Sequence, residues 1–180
     1  GYSYTIGTGG RAVQALIKHD LADLLLGQDA QWVERIWKRL WFATHATVVG
    51  PITSIALCAI DTALWDLRCR VLGQPLHLLA GGAQADIPVY DTEGGWLNVP
   101  VQELVDGALR SKAAGLGGVK VKVGKPTLTE DLARLQAVRE AIGPEMELMV
   151  DANQAFTVSE AIRRTHAMEP LNLAWMEEPL

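Results

Sequence analysis

From residue 87 onward the chain repeats one pattern: a short apolar run, a polar break, then a helix-period segment, recurring about every 30 residues. Residues 87–91, 118–123, 147–151 and 173–177 read as strands, and 101–114, 128–142 and 158–168 read as helices. Strands that alternate with helices in this way pair in parallel, because each crossover returns the chain to the start of its next strand. Four such units in succession indicate a (β/α) barrel, whose chemistry sits at the C-terminal ends of its strands. Eight units take about 250 residues. The sequence, 180 residues long and ending at Leu180 just after the fourth strand, is therefore expected to be incomplete.

Three of the four strands close on charged strings: Lys120-Val121-Lys122, Val150-Asp151-Ala152-Asn153 and Trp175-Met176-Glu177-Glu178-Pro179. Strand alternation sends Lys120 and Lys122 to one face and Val119, Val121 and Val123 to the other. Two ammonium groups buried together are costly unless anions accompany them. An Asp and a Glu stand at the ends of the next two strands, where those anions are needed. Lysines, carboxylates and an amide at one rim of a parallel sheet describe a metal-assisted active site. Alternation puts Asn153 on the face of Asp151 but leaves open which of Glu177 and Glu178 points inward.

Each string also has an ordinary reading. Lys-x-Lys is commonly a solvated edge, Asp-x-Asn can cap the following helix, and Glu-Glu-Pro can simply end a strand. Their joint occurrence at consecutive strand ends favours the catalytic reading.

The first 85 residues read as helices, so a boundary is placed between 1–85 and 86–180. Val13, Leu16, Ile17, Leu21, Leu24 and Leu25 keep the helical period until Gly27 stops it. Asp29 is the expected N-cap of a second helix, whose Trp32, Val33, Ile36, Trp37, Leu40 and Trp41 read as a core stripe. A third helix spans about 52–71, with Ile55, Ala59, Ile60, Ala63, Leu64 and Leu67 inward and Gly73 as its stop. Pro75 suits the first turn of a short helix closed by Gly81 and Gly82, and Gly1-Tyr2-Ser3-Tyr4 reads as a sheet strand.

A net charge of −5 with no Lys/Arg block argues against nucleic acid or an anionic membrane as the main partner. No apolar run approaches the ~18 residues of a membrane span. Cys58 and Cys69 fall on one helix, about 16 Å apart at 1.5 Å per residue, beyond disulfide reach. Both are expected to be buried thiols of a cytoplasmic protein.

With these strings in this order and at these separations, the chain resembles the enolase superfamily, specifically its mandelate racemase subgroup. The stretch Ala59-Ile60-Asp61-Thr62-Ala63-Leu64-Trp65-Asp66, with Gly73-Gln74-Pro75-Leu76 and Leu79-Ala80-Gly81-Gly82, resembles the helix joining that family's capping domain to its barrel. Tyr90-Asp91-Thr92-Glu93-Gly94-Gly95-Trp96 and Gly118-Val119-Lys120-Val121-Lys122-Val123-Gly124 look most like the acid-sugar dehydratases acting on galactarate or talarate. The resemblance implies an α/β chain: part of a capping α+β domain over 1–85, then the first half of a modified (β/α) TIM-type barrel over 86–180. It implies a small-molecule carboxylate substrate, no nucleic-acid or membrane partner, and a homo-oligomer.

The same resemblance implies the chemistry. Mg²⁺, held by Asp151 and Glu177 and by a third carboxylate from a fifth strand, would stabilise an enediolate formed when the proton beside a carboxylate is removed. Lys122 would be the base, and Lys120 would hold the substrate carboxylate and lower the pKa of Lys122 by repulsion. Asn153 would bond the substrate or the base. His45, in a loop of the capping region, would approach the substrate, whereas His19, His77 and His166 read as ordinary residues. The expected outcome is dehydration of an acid sugar, with the polar Asp91-Thr92-Glu93 strand end offering hydroxyl partners. A racemase or epimerase of a 2-hydroxy acid or amino-acid derivative is the alternative, and a non-catalytic or truncated (β/α) domain the second.

Overall fold

The computed structural model describes residues 1–47 and 50–180. Two units emerge, Gly1–Ala85 and Asp86–Leu180. Among the described residues no helix is long and apolar enough to cross a membrane.

The first unit is helical. Helix α1 (Gly10–Leu16) passes through a π-helical turn (Ile17–Leu21) into α2 (Ala22–Leu25). Helices α3 (Val33–Ala43), α4 (Pro51–Leu72) and α5 (Leu76–Leu79) follow. The core gathers Val13, Leu21, Ile36, Leu40, Ala56, Leu57 and Ile60. Pro51 suits the first turn of α4, and Gly73 ends that helix in the left-handed conformation (φ 62°), which a residue without Cβ adopts freely.

Several expectations fail here for local reasons. Asp29 does not cap α3. Its Oδ1 accepts the Gln31 amide at 3.0 Å in a turn, and Trp32 takes the cap position. The tryptophan stripe is not core either: Val33, Ile36 and Leu40 fill the inward face, leaving Trp32 and Trp41 exposed, with Trp37 and Trp41 stacked at 5.1 Å. On α4 the buried face is Thr53, Ala56, Leu57 and Ile60, while Ala63 and Leu67 are exposed. Cys58 is exposed and Cys69 half-buried, not the buried thiols expected. Residues 1–4 form no strand.

The second unit is a parallel sheet in sequence order, β1 (Tyr90–Asp91), β2 (Gly118–Lys122), β3 (Glu147–Asp151) and β4 (Met176–Glu177). Helices α6 (Val101–Ala113), α7 (Leu128–Ile142) and α8 (Val158–Met168) connect them. The two flanking strands pair over only two residues each, shorter than the sequence runs. Val119, Val121, Val123, Leu148 and Val150 pack with Leu104, Leu135, Val138 and Met168 into one core. That apolar face fixes the register, since a slip of one residue would bury the lysines instead.

Helix α7 opens with a reciprocal cap: the Thr127 hydroxyl accepts the Glu130 amide, and the Glu130 carboxylate accepts the Thr127 amide at 3.0 Å. One turn on, buried Asp131 accepts the Gly124 and Lys125 amides at 3.0 and 3.1 Å and pairs with Arg164 of α8. Removing Asp131 takes the acceptor from two backbone amides and leaves Arg164 with Glu160 as its remaining ion-pair partner, a costly change at a buried site. Asp131→Ala should therefore cost about 3–5 kcal/mol in urea denaturation. A loss as small as that of an exposed ion pair would show that the pair carries no such role.

Candidate active site

Sheet register builds the site. Lys122 lies opposite Asp151, and Asp151 opposite Glu177, so one cation and two carboxylates stand in a row across three adjacent strands. Lys120, two residues earlier on the same face of β2, reaches up into that row. Its Nζ lies 2.7 Å from Glu177 Oε2 and 3.6 Å from Asp151 Oδ2. Lys122 Nζ donates to Asp151 Oδ2 at 2.5 Å. Four of the residues expected from the sequence, Lys120, Lys122, Asp151 and Glu177, thus form one cluster.

Glu177 is the member of the Glu-Glu pair that meets the lysines. Glu178 has φ 45°, and its carbonyl accepts the Gln154 amide at 2.8 Å. Asn153 lies beyond the end of β3 with φ 46°, where strand alternation no longer applies. Its backbone amide donates to Asp151 Oδ1 at 2.8 Å, and its side chain is exposed. The string does not cap α8, because Thr157 does so by accepting the Glu160 amide. His45 belongs to the first unit, in an exposed turn where Nδ1 lies 2.8 Å from the Phe42 carbonyl and the ring stacks on Phe42 at 5.5 Å.

Electrostatics follow from this packing. Burial works to raise Asp151. The Lys122 hydrogen bond, the Asn153 amide and the two ammonium charges outweigh it, holding the carboxyl below its usual 3.8. Burial works to lower Lys120, but Glu177, Tyr90 and Asp151 hold it above its usual 10.5. Asp151 and Glu177 are hard oxygen donors that already converge on one cationic atom, Lys120 Nζ, so the pair fits a divalent ion such as Mg²⁺ as two of its ligands. Among the described residues no His, Cys, Asp or Glu completes a group of three.

Two aromatic rings that no local sequence pattern marks surround the lysines. The Tyr90 ring lies 5.9 Å from Lys120 Nζ and the Trp96 ring 5.3 Å from Lys122 Nζ. Asp91 Oδ1 accepts the Glu93 amide at 2.9 Å, and its Oδ2 accepts the Ser111 hydroxyl of α6 at 2.7 Å. Each Asp91 oxygen thus has a partner within the fold, one in the loop and one in the helix. The Gly94-Gly95 pair before Trp96 was the available signal for a close approach.

Comparison with known proteins gives the chain its family. Residues 1–81 match the mandelate racemase / muconate lactonizing enzyme N-terminal domain, and residues 103–180 match the enolase C-terminal domain-like family. The chain belongs to the mandelate racemase/muconate lactonizing enzyme family of the enolase superfamily. It is 43% identical to the 3,6-anhydro-alpha-L-galactonate cycloisomerase of Streptomyces coelicolor, over 99% of this chain and 49% of that protein. A magnesium-bound racemase structure from Streptomyces coelicolor A3(2) superposes with a TM-score of 0.91 at 43% identity, covering 99% of this chain and 53% of that one. The L-talarate/galactarate dehydratase of Salmonella typhimurium, solved with Mg and L-lyxarohydroxamate, gives 0.88 at 41% identity over 99% and 45%. The chain spans about half the length of the curated relatives it matches. As a member of this family it is an α/β chain, and its second unit carries a four-stranded parallel sheet.

The depressed Asp151 makes a pH prediction. Its folded value lies below the unfolded one, so its contribution to stability is fully present above about pH 4 and is lost as the pH falls through the folded value. Urea denaturation across a pH series should show a shallower acid limb in Asp151→Asn than in the parent chain. Identical limbs would place Asp151 outside the lysine cluster in solution.

Proposed function

We propose that the complete protein removes the α-proton of a carboxylate substrate, with Mg²⁺ held by Asp151 and Glu177, and that the reaction is dehydration of an acid sugar. The observation that carries this reading is the convergence of Lys120, Lys122, Asp151 and Glu177 at the C-terminal ends of three adjacent parallel strands. In this reading residues 1–85 are part of the N-terminal capping domain and 86–180 the first four strands of the catalytic barrel.

Lys122, nearer the end of β2, is the base that takes the proton. Lys120, one alternation deeper, meets the substrate carboxylate. Lys122 acts from its uncharged amine, so the reaction needs it freed of its proton as well as of its bond to Asp151. Mg²⁺ would supply the positive charge facing the carboxylate oxygens on which negative charge gathers. Asn153 sits on the turn anchored to Asp151, and its proposed role is to hydrogen-bond the substrate or the base.

The acid-sugar choice rests on the relatives, a talarate/galactarate dehydratase and an anhydrogalactonate cycloisomerase. The racemase relative favours a second outcome, reprotonation in place of loss of water. Product analysis separates the two: dehydration gives a 2-keto-3-deoxy acid, racemisation an isomer of the starting material.

Two substitutions in the complete protein test the core of the proposal. Lys122→Ala should abolish deuterium exchange of the substrate α-proton on the face it serves while leaving substrate binding largely intact. Normal exchange on both faces would mean the base is misassigned. Asp151→Asn should weaken Mg²⁺ binding by at least about tenfold in isothermal titration, and unchanged affinity would remove Asp151 from the metal site.

A further inference from the structure

Trp96 occupies a position that the fold works to create. It follows a one-turn 3-10 helix (Glu93–Gly95) after β1. A Cβ at Gly95 would stand 2.1 Å from the Lys120 carbonyl oxygen and 3.0 Å from Val121 Cα, so the turn lies against β2 with no room for a side chain. The next residue is thereby delivered beside the lysine-bearing face. Its carbonyl is then clamped from α7: Arg134 Nη2 donates to Trp96 O at 3.0 Å, and Nη1 donates to Val99 O at 2.6 Å. Arg134 is buried, and its Nε has no hydrogen-bond partner among the described residues. A buried guanidinium satisfied only in part is a destabilising way to hold a loop. What it holds is the backbone of Trp96, a residue 48% exposed, whose indole centre lies 5.3 Å from Lys122 Nζ.

An indole face carries the negative part of the ring quadrupole, which attracts the Lys122 ammonium and equally attracts weakly polarised C–H groups. An acid sugar alternates such C–H groups with hydroxyls along its carbon chain. A wall of this kind holds the chain by its C–H edge and leaves the hydroxyls free for polar partners. We propose that Trp96 is a specificity-determining residue: its ring, delivered by Gly95 and clamped by Arg134, is the wall on which the C–H face of a polyhydroxy acid stacks beside Lys122. Arg134 is the positioning residue of this pair. The inference rests on the α-proton-abstraction reading above and adds to it a subsite and a reason for acid-sugar preference.

The test uses the complete protein with Mg²⁺, assayed on aldarates, aldonates and an aromatic 2-hydroxy acid. Trp96→Ala should raise KM for the acid sugar about fivefold or more with kcat little changed, and Trp96→Phe should restore most of the affinity. Arg134→Lys, which keeps charge but loses the fork, should raise KM in the same direction, with the fold checked by circular dichroism. An unchanged KM in Trp96→Ala overturns the wall while leaving the general reading in place, as does a fall in kcat alone. Failure of Trp96→Phe to rescue overturns it too. A parent enzyme that prefers the aromatic acid, and loses that preference in Trp96→Ala, shows the ring serving a different substrate class. A parent enzyme with no α-proton exchange on any of these acids overturns the reading and the inference together.

Discussion

Parallel register between β2, β3 and β4 is the constraint on which the remainder depends. It sets Lys122, Asp151 and Glu177 side by side, and alternation brings Lys120 beneath them. The opposite face of the same strands is all apolar: Val119, Val121, Leu148 and Val150 are buried against the helices. The packing that stabilises the sheet therefore also decides which face carries charge, and any slip that spoiled the site would spoil the core as well. Structure and chemistry share one alignment.

Helix α7 adds the second layer of control. Its first turns send Asp131 to the amides of the loop that follows β2, and Arg134 to the carbonyls of the loop that follows β1. Two loops flanking the lysine strand are thus tied to one rigid element. Farther along, Arg139 donates to the carbonyls of Gly143, Met146 and Leu171, holding the chain on the approach to β3 and β4. Loops carry the variable chemistry of such a fold, and here they are tied down by hydrogen bonds to the buried Asp131 carboxylate and from the Arg134 and Arg139 guanidinium groups.

The second unit was largely legible because its signals are periodic. Helices over 128–142 and 158–168 and the strand over 147–151 fall where apolar spacing puts them. The charged strings stood out because lysine and carboxylate on buried-strand positions need an explanation. What remained hidden depends on contacts distant in sequence. No local pattern says that Asp91 will turn to Ser111, or that Arg134 will reach back 38 residues to Trp96. The tryptophan stripe misled for a related reason. Period alone marks a wide apolar face on α3, and only the assembled helices decide that Val33, Ile36 and Leu40 fill the space while Trp32 and Trp41 stay outside.

Two buried ion-pair sets in the same unit show why one is read as structure and the other as chemistry. Asp131 and Arg164 are closed off: the carboxylate is saturated by backbone amides, while the guanidinium also meets Glu160 and lies 4.8 Å from the Phe156 ring. The lysine cluster is open at one end, where the Glu177 side chain is 38% exposed while Asp151 is 3% exposed. Replacing a buried ion network with apolar side chains of similar volume is often neutral or stabilising. Stability alone therefore gives no reason to retain two lysines on an inward strand face. A site that must receive an anionic substrate, neutralise it and take one of its protons does require them, and it requires them at the rim where the sheet opens.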